Sequence, residues 1–134
     1  MIKKIEHIGI AVASIKTSLP LFEKLLGKKM YKTEIVDSEA VKTAFIQLGE
    51  TKIELLEAIN PNSAIAKFLE KNKEGFHHIA LDVEDIELEI TRLTEEGFTI
   101  IHNNPKAGAD NKRIAFLHPK STNGMLIELC EEII

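Results

Sequence analysis

The spacing of apolar positions changes period in a regular order along the chain, and the order occurs twice. Residues 5–12 alternate and are rich in β-branched side chains, which predicts a strand. Residues 14–26 carry Leu19, Phe22, Leu25 and Leu26 at helical spacing, with Gly27 where a C-terminal cap belongs. Pro20 is tolerated only in a first turn, so the regular helix is expected to begin near Ser18. Strands follow at 30–36, 41–48 and 52–58, separated by the turn-forming Asp37-Ser38-Glu39 and by Gly49-Glu50. After a break at 60–63, residues 63–73 predict a short helix with Ile65, Phe68 and Leu69 on one face. The order then repeats: a strand at 77–83, a helix at 85–96 ending at Gly97, a strand at 98–102, a Gly/Asn/Pro loop at 103–111, and strands at 112–117 and 125–130 around a turn segment at 118–124.

Specific residues recur with the elements. His7-Ile8-Gly9-Ile10-Ala11-Val12 is echoed by His78-Ile79-Ala80-Leu81-Asp82-Val83, 71 residues on. Ile53-Glu54-Leu55 is echoed by Ile127-Glu128-Leu129. Self-similarity at a fixed separation points to an internal duplication. The expected class is α+β: two tandem βαβββ modules forming an open, cup-like mixed sheet with helices outside. Module one covers about 1–58, a linking helix about 63–73 and module two about 76–134, within a single domain over 1–134.

Composition narrows the function classes. A chain of 134 residues buries a core without staples. The net charge of −4 offers no basic face for nucleic acid. No apolar run approaches the ~18 residues a membrane span needs, and the first residues turn strand-like with no signal-peptide apolar region. The lone Cys130 excludes an internal disulfide and reads as a small buried apolar residue beside Leu129, in an expected reducing, cytoplasmic setting.

Strand alternation gives the candidate chemistry. His7, Gly9 and Ala11 face away from Ile8, Ile10 and Val12, and His78, Ala80 and Asp82 face away from Ile79, Leu81 and Val83. Glu54 and Glu128 likewise oppose their aliphatic neighbours. Taken singly, a glutamate between aliphatics in a strand reads as solvent-facing, and a strand histidine as a satisfied side chain. Their equivalence across two repeats carries the stronger reading. Two imidazoles and two carboxylates suit a divalent cation. The two negative charges offset the ion's own, and its open positions could take a chelating substrate. His77 has no counterpart in the first repeat and falls on the opposite face, so it reads as structural; His102 and His118 are also unmatched.

The segment Ile114-Ala115-Phe116-Leu117-His118-Pro119-Lys120-Ser121, followed by Gly124-Met125-Leu126-Ile127-Glu128-Leu129, is the most specific in the chain. With Lys52-Ile53-Glu54-Leu55-Leu56-Glu57 and Gly75-Phe76-His77-His78-Ile79-Ala80, it resembles the vicinal oxygen chelate, or glyoxalase-like, superfamily over the whole length. Within that superfamily the chain is most similar to the methylmalonyl-CoA epimerases. Lactoylglutathione lyases carry an Asp-Pro-Asp-Gly turn where this chain has His118-Pro119-Lys120-Ser121.

The resemblance implies metal ligands His7, Glu54, His78 and Glu128 for a divalent ion (Co, Mn, Ni, Zn or Mg), an acyl-CoA substrate and a homodimer. It implies interconversion of (2R)- and (2S)-methylmalonyl-CoA through a metal-stabilised enediolate. Inversion needs two proton-transfer groups. Glu128 is one, and Glu54 by repeat symmetry is the other, with Glu39 the alternative if its loop folds over the mouth. Some epimerases have Gln at the Glu54 position and Glu near Thr43, and a threonine hydroxyl is no base at neutral pH. Lys106, Lys112, Arg113, Lys120 and Ser121 are the candidates to hold the coenzyme. Two other readings stand beside this one. A metal-dependent glyoxalase I (lactoylglutathione lyase) would use the same ligands. A metal-free small-molecule binding or resistance protein would share the fold, but the absence of Trp, the single Tyr and the four ligands argue against it.

Overall fold

The computed structural model describes residues 1–102 and 104–134. The chain divides into two compact units: unit 1 is Met1–Glu6 with His78–Ile134, and unit 2 is His7–His77. The first strand, β1 (Ile2–Ala11), therefore gives its opening residues to unit 1 and the remainder to unit 2.

Unit 2 continues with α1 (Ile15–Leu26), β2 (Lys32–Val36), β3 (Val41–Leu48), β4 (Thr51–Ala58) and α2 (Ala64–Lys71). Its strands lie in the order β2-β3-β4-β1, antiparallel except for the parallel β4 and β1. Leu19, Phe22 and Leu26 of α1 pack on one sheet face, over Ile10, Val12, Ala44, Ile46, Ile53 and Leu55. Each such fully buried aliphatic side chain is stabilising by about 1.5–3 kcal/mol. On the other face, Ile65, Phe68 and Leu69 of α2 cover one end, over Ala11, Val41 and Leu56.

Helix α1 corrects the expectation drawn from Pro20. It begins at Ile15, not near Ser18, and Pro20 lies inside it. The N–H that proline lacks would have bonded the carbonyl of Lys16, an exposed residue that water can serve. Both ends are also well satisfied. The Ser14 side chain accepts from the Thr17 N–H at 3.3 Å, and Glu57 on β4 accepts from the Ile15 N–H at 2.6 Å. Gly27, at φ 69°, closes the C-terminus in the left-handed conformation.

Unit 1 takes β5 (Gly75–Val83) from His78 onward, then α3 (Ile86–Glu95), β6 (Lys106–Ala107), β7 (Lys112–Leu117) and β8 (Ile127–Glu132). Their order is β5-β8-β7-β6, with β5 and β8 parallel and the other neighbours antiparallel. The Glu84 N–H donates to the Met1 carbonyl at 3.2 Å, and Lys3 Nζ lies 3.5 Å from Asp82. Asp85 caps α3 by accepting from the Leu88 N–H at 3.1 Å. The helix buries Ile86 and Leu93 with Val83, Ala115, Leu117 and Leu129.

The class is α+β, as the pattern predicts, and each unit carries a mixed sheet with its own helix. Two boundaries in unit 1 differ from expectation. Residues 98–102 form no strand beyond a single bridge between Ile100 and Leu117. The bridge is held by the His118 N–H on the Thr99 carbonyl at 2.7 Å and the Ile101 N–H on the Phe116 carbonyl at 2.8 Å, and it extends no further on the Thr99 side, where the Thr99 N–H donates to Ser121 Oγ at 3.2 Å. The edge strand is β6, inside the stretch expected as loop; Asn103, where that loop was to begin, lies outside the described residues. The last strand starts at Ile127 rather than Met125, because the Thr122 hydroxyl donates to the Met125 carbonyl and holds 122–125 in the turn. Among the described residues, no helix is long and apolar enough to cross a membrane.

Candidate metal centre

In unit 2, Gly9 on β1 is the register partner of Glu54 on the parallel β4. His7 precedes Gly9 by two residues, so it shares Gly9's face, and the missing side chain leaves room for the ring to lean toward Glu54. His7 Nε2 stands 3.1 Å from Glu54 Oε1. Both residues are buried, at 5% and 4% exposure.

Unit 1 repeats the arrangement. Ala80 on β5 is the register partner of Glu128 on the parallel β8, and His78 Nε2 stands 3.3 Å from Glu128 Oε1. These two are also buried. The correspondence extends to the antiparallel neighbours: Phe45 faces Glu54 and Phe116 faces Glu128. The His78 ring meets Phe116 edge-on with centroids 6.1 Å apart. These phenylalanines were missing from the sequence-level site. Their signal was there, since Ala44-Phe45 and Ala115-Phe116 keep the same 71-residue separation as the histidines.

The donor set fits a divalent cation. Two ligand atoms each about 2.1 Å from one ion, at right angles to each other, stand about 3 Å apart. The nitrogen and oxygen of each pair are at that separation. A carboxylate buried beside a phenylalanine is costly unless positive charge offsets it, and imidazole with carboxylate accepts a wide range of divalent metals.

The other candidates are placed less simply. Thr43 is buried on β3, opposite Leu56 on one side and Glu34 on the other, with Oγ1 3.4 Å from the Glu34 carbonyl. Glu39 closes a 3-10 turn just before Val41. The Val41–Ala58 pair lies four residues along β3 from the Phe45–Glu54 pair, on the order of 13 Å. Glu39 is therefore not brought to Glu54. His77 packs edge-on against Phe68 of α2 at 4.9 Å. Cys130 is buried, and burial, followed by the charges of Glu128, Glu6 and Asp82, pushes its thiol far above the ordinary range.

The expected coenzyme cations are spread along β7 and its neighbours. Lys112 and Arg113 start β7, opposite Glu132 and Glu131, while Lys120 follows its far end. Arg113 is held by Glu131 at 3.1 Å and Glu87 at 3.0 Å. Lys106 sits on the edge strand opposite Ile114. Ser121 shapes the turn, its hydroxyl donating to the His118 carbonyl at 3.0 Å while accepting from Thr99. His118 Nδ1 accepts from the Lys120 N–H at 3.0 Å, which leaves the Lys120 side chain exposed on the turn that leads to Glu128.

The chain is similar to known proteins over nearly its whole length. The family model for the Glyoxalase/Bleomycin resistance protein/Dioxygenase superfamily matches residues 6–116. An ethylmalonyl-CoA/methylmalonyl-CoA epimerase of Cereibacter sphaeroides is 40% identical over 131 residues, covering 96% of this chain and 98% of that protein. The crystal structure of methylmalonyl-CoA epimerase from Mycobacterium tuberculosis superposes with a TM-score of 0.95 at 31% identity, covering 99% of this chain and 90% of that one. A Streptomyces coelicolor methylmalonyl-CoA epimerase variant in complex with 2-nitronate-propionyl-CoA gives a TM-score of 0.94 at 30% identity, covering 98% and 96%.

Proposed function

The chain belongs to the glyoxalase/bleomycin resistance protein/dioxygenase superfamily, and from that premise we propose that it is an isomerase that interconverts (2R)- and (2S)-methylmalonyl-CoA with the help of a divalent metal ion. The observation that carries the reading is the matched pair of buried His/Glu contacts, His7 with Glu54 and His78 with Glu128. Epimerases related over nearly the full length support that substrate, and the acyl-CoA analogue bound by one of them supports an acyl-CoA.

In this reading His7, Glu54, His78 and Glu128 hold one cation together. Co, Mn, Ni, Zn and Mg all accept such donors, with different preferences. The bound cation supplies Lewis-acid stabilisation of the negative charge that builds on the substrate's thioester oxygen. The chain's own residues do the rest. Phe45 and Phe116 keep the ligands in an apolar setting, where charge stabilisation is strongest. Glu128 takes or returns the C2 proton on one side, and Glu54 holds the equivalent position in the other repeat. Lys120, on the turn leading to Glu128, is the first cation to meet the coenzyme phosphates, with Lys106 on the edge strand; Arg113 serves them only by releasing Glu87 or Glu131. The working form is a homodimer in a reducing cytoplasm, a setting drawn from the lone Cys130.

The test is direct. Metal-loaded protein is incubated with each stereoisomer of methylmalonyl-CoA, and in parallel with methylglyoxal and glutathione. Inversion of the thioester with no turnover of the hemithioacetal is expected. The reverse outcome would replace the epimerase with a glyoxalase.

A further inference from the structure

The unit 2 sheet face that carries His7 and Glu54 has three other titratable side chains among its strand residues: Lys32, Glu34 and Lys52. Glu34 is thus the one carboxylate on these strands that shares the face and stands outside the ligand set. Its orientation has independent support. Lys32 Nζ lies 3.3 Å from Glu34 Oε1, which requires both side chains on the same side of β2. Directly opposite Glu34 on the neighbouring strand is Thr43, whose side chain is short. Neighbouring strands are about 4.8 Å apart, a distance that an extended glutamate side chain spans. Its carboxylate can therefore stand over Thr43, in the row next to the one that Lys32, Phe45 and Glu54 form across the three strands. Glu34 keeps 30% of its side chain exposed, so a proton it takes up can exchange with water.

We propose that Glu34 is the proton-transfer group on the unit 2 side for inversion at C2, with Lys32 as its positioning residue; this rests on the epimerase reading. The C2–H bond breaks as the Glu34 carboxylate takes the proton, and the electron pair moves into the thioester carbonyl. A proton then arrives at the opposite face of C2 from an acid group there, re-forming the C–H bond with inverted configuration. In the reverse direction the Glu34 carboxylic acid is the donor. Glu54 is left to hold the cation throughout.

The experiment uses metal-loaded wild type, Glu34→Gln and Glu34→Asp in deuterated water, with each stereoisomer supplied separately. Glu34→Gln is expected to slow inversion by about 10²–10⁴-fold with bound metal and melting temperature unchanged. It should still exchange the C2 hydrogen of one stereoisomer, with retention. Glu34→Asp should recover part of the inversion. Inversion within about threefold of wild type in Glu34→Gln overturns the proposal, as does equal loss of exchange from both stereoisomers or a loss that tracks lost metal. A wild type that exchanges neither stereoisomer removes the epimerase reading and the role of Glu34 with it.

Discussion

His7 reaches Glu54 diagonally: the two side chains meet at 3.1 Å although the register partner of Glu54 is Gly9. His78 reaches Glu128 past Ala80 in the same way. In both repeats a small residue makes the space, and a parallel strand pair sets the offset. The contact is therefore a property of the backbone register as much as of the two side chains.

Both ligand pairs should be needed for metal and for turnover, with different signatures. Glu128→Gln keeps the shape and removes the charge, so it should lower turnover by about 10²–10⁴-fold. His78→Ala removes a nitrogen donor and should lower metal content as well. Metal analysis after dialysis, run beside the turnover assay, checks both. Full metal and full activity in His78→Ala would count against His78 as a ligand.

Metal removal should also show in stability. A cation that binds only the folded chain, present at a hundredfold above its dissociation constant, adds about 2.7 kcal/mol. Treatment with a chelator should lower the melting temperature, and readdition of a divalent ion should restore it. An unchanged melting curve would separate the His/Glu pairs from metal binding.

The core of unit 2 predicts a contrast between two leucines. Leu55 is fully buried beneath α1, whereas Leu21 on that helix is 63% exposed. Leu55→Ala should cost about 2–5 kcal/mol, the range for an aliphatic side chain that leaves a cavity. Leu21→Ala should lie within about 0.5 kcal/mol of wild type. Denaturant midpoints at constant slope measure both.

Glu89 sets a pH dependence in unit 1. It is buried on α3, where the Met1 ammonium at 2.6 Å and then Arg92 at 2.8 Å hold its carboxyl below the usual carboxylate range. A carboxyl lowered on folding contributes stability that is present above its unfolded value and lost as pH falls through the folded one. Glu89→Gln should therefore destabilise the protein at neutral pH and make it lose less stability on acidification. Unfolding midpoints between neutral and acidic pH would show the two curves converging; parallel curves would count against this source.

The parts of the site that the sequence made legible were those copied in both repeats. His7 and His78, Glu54 and Glu128 sit at matched positions in strands whose alternation settles their faces. What the sequence did not disclose depended on neighbours distant in the chain. Pro20 looked like a helix boundary because the carboxylate that serves the Ile15 N–H comes from Glu57, far along the chain on β4. Residues 98–102 looked like a strand because nothing local shows that the Thr99 N–H goes to the Ser121 hydroxyl, which leaves one bridge in place of a ladder. The place of Glu34 is hidden for a different reason. It has no partner in the second repeat, and only the pairing of β2 with β3 puts it opposite Thr43.

The division of β1 has a consequence for anyone cutting the gene. A cut after His77, where the second compact unit ends, does not yield two self-sufficient pieces. A fragment of 78–134 would leave behind Met1–Glu6, and with it the carbonyl that receives Glu84, the lysine that meets Asp82 and the ammonium that holds Glu89. A fragment of 1–77 would carry those six residues without their partners. Expressed apart, the pieces should be poorly folded, and mixing them should restore structure.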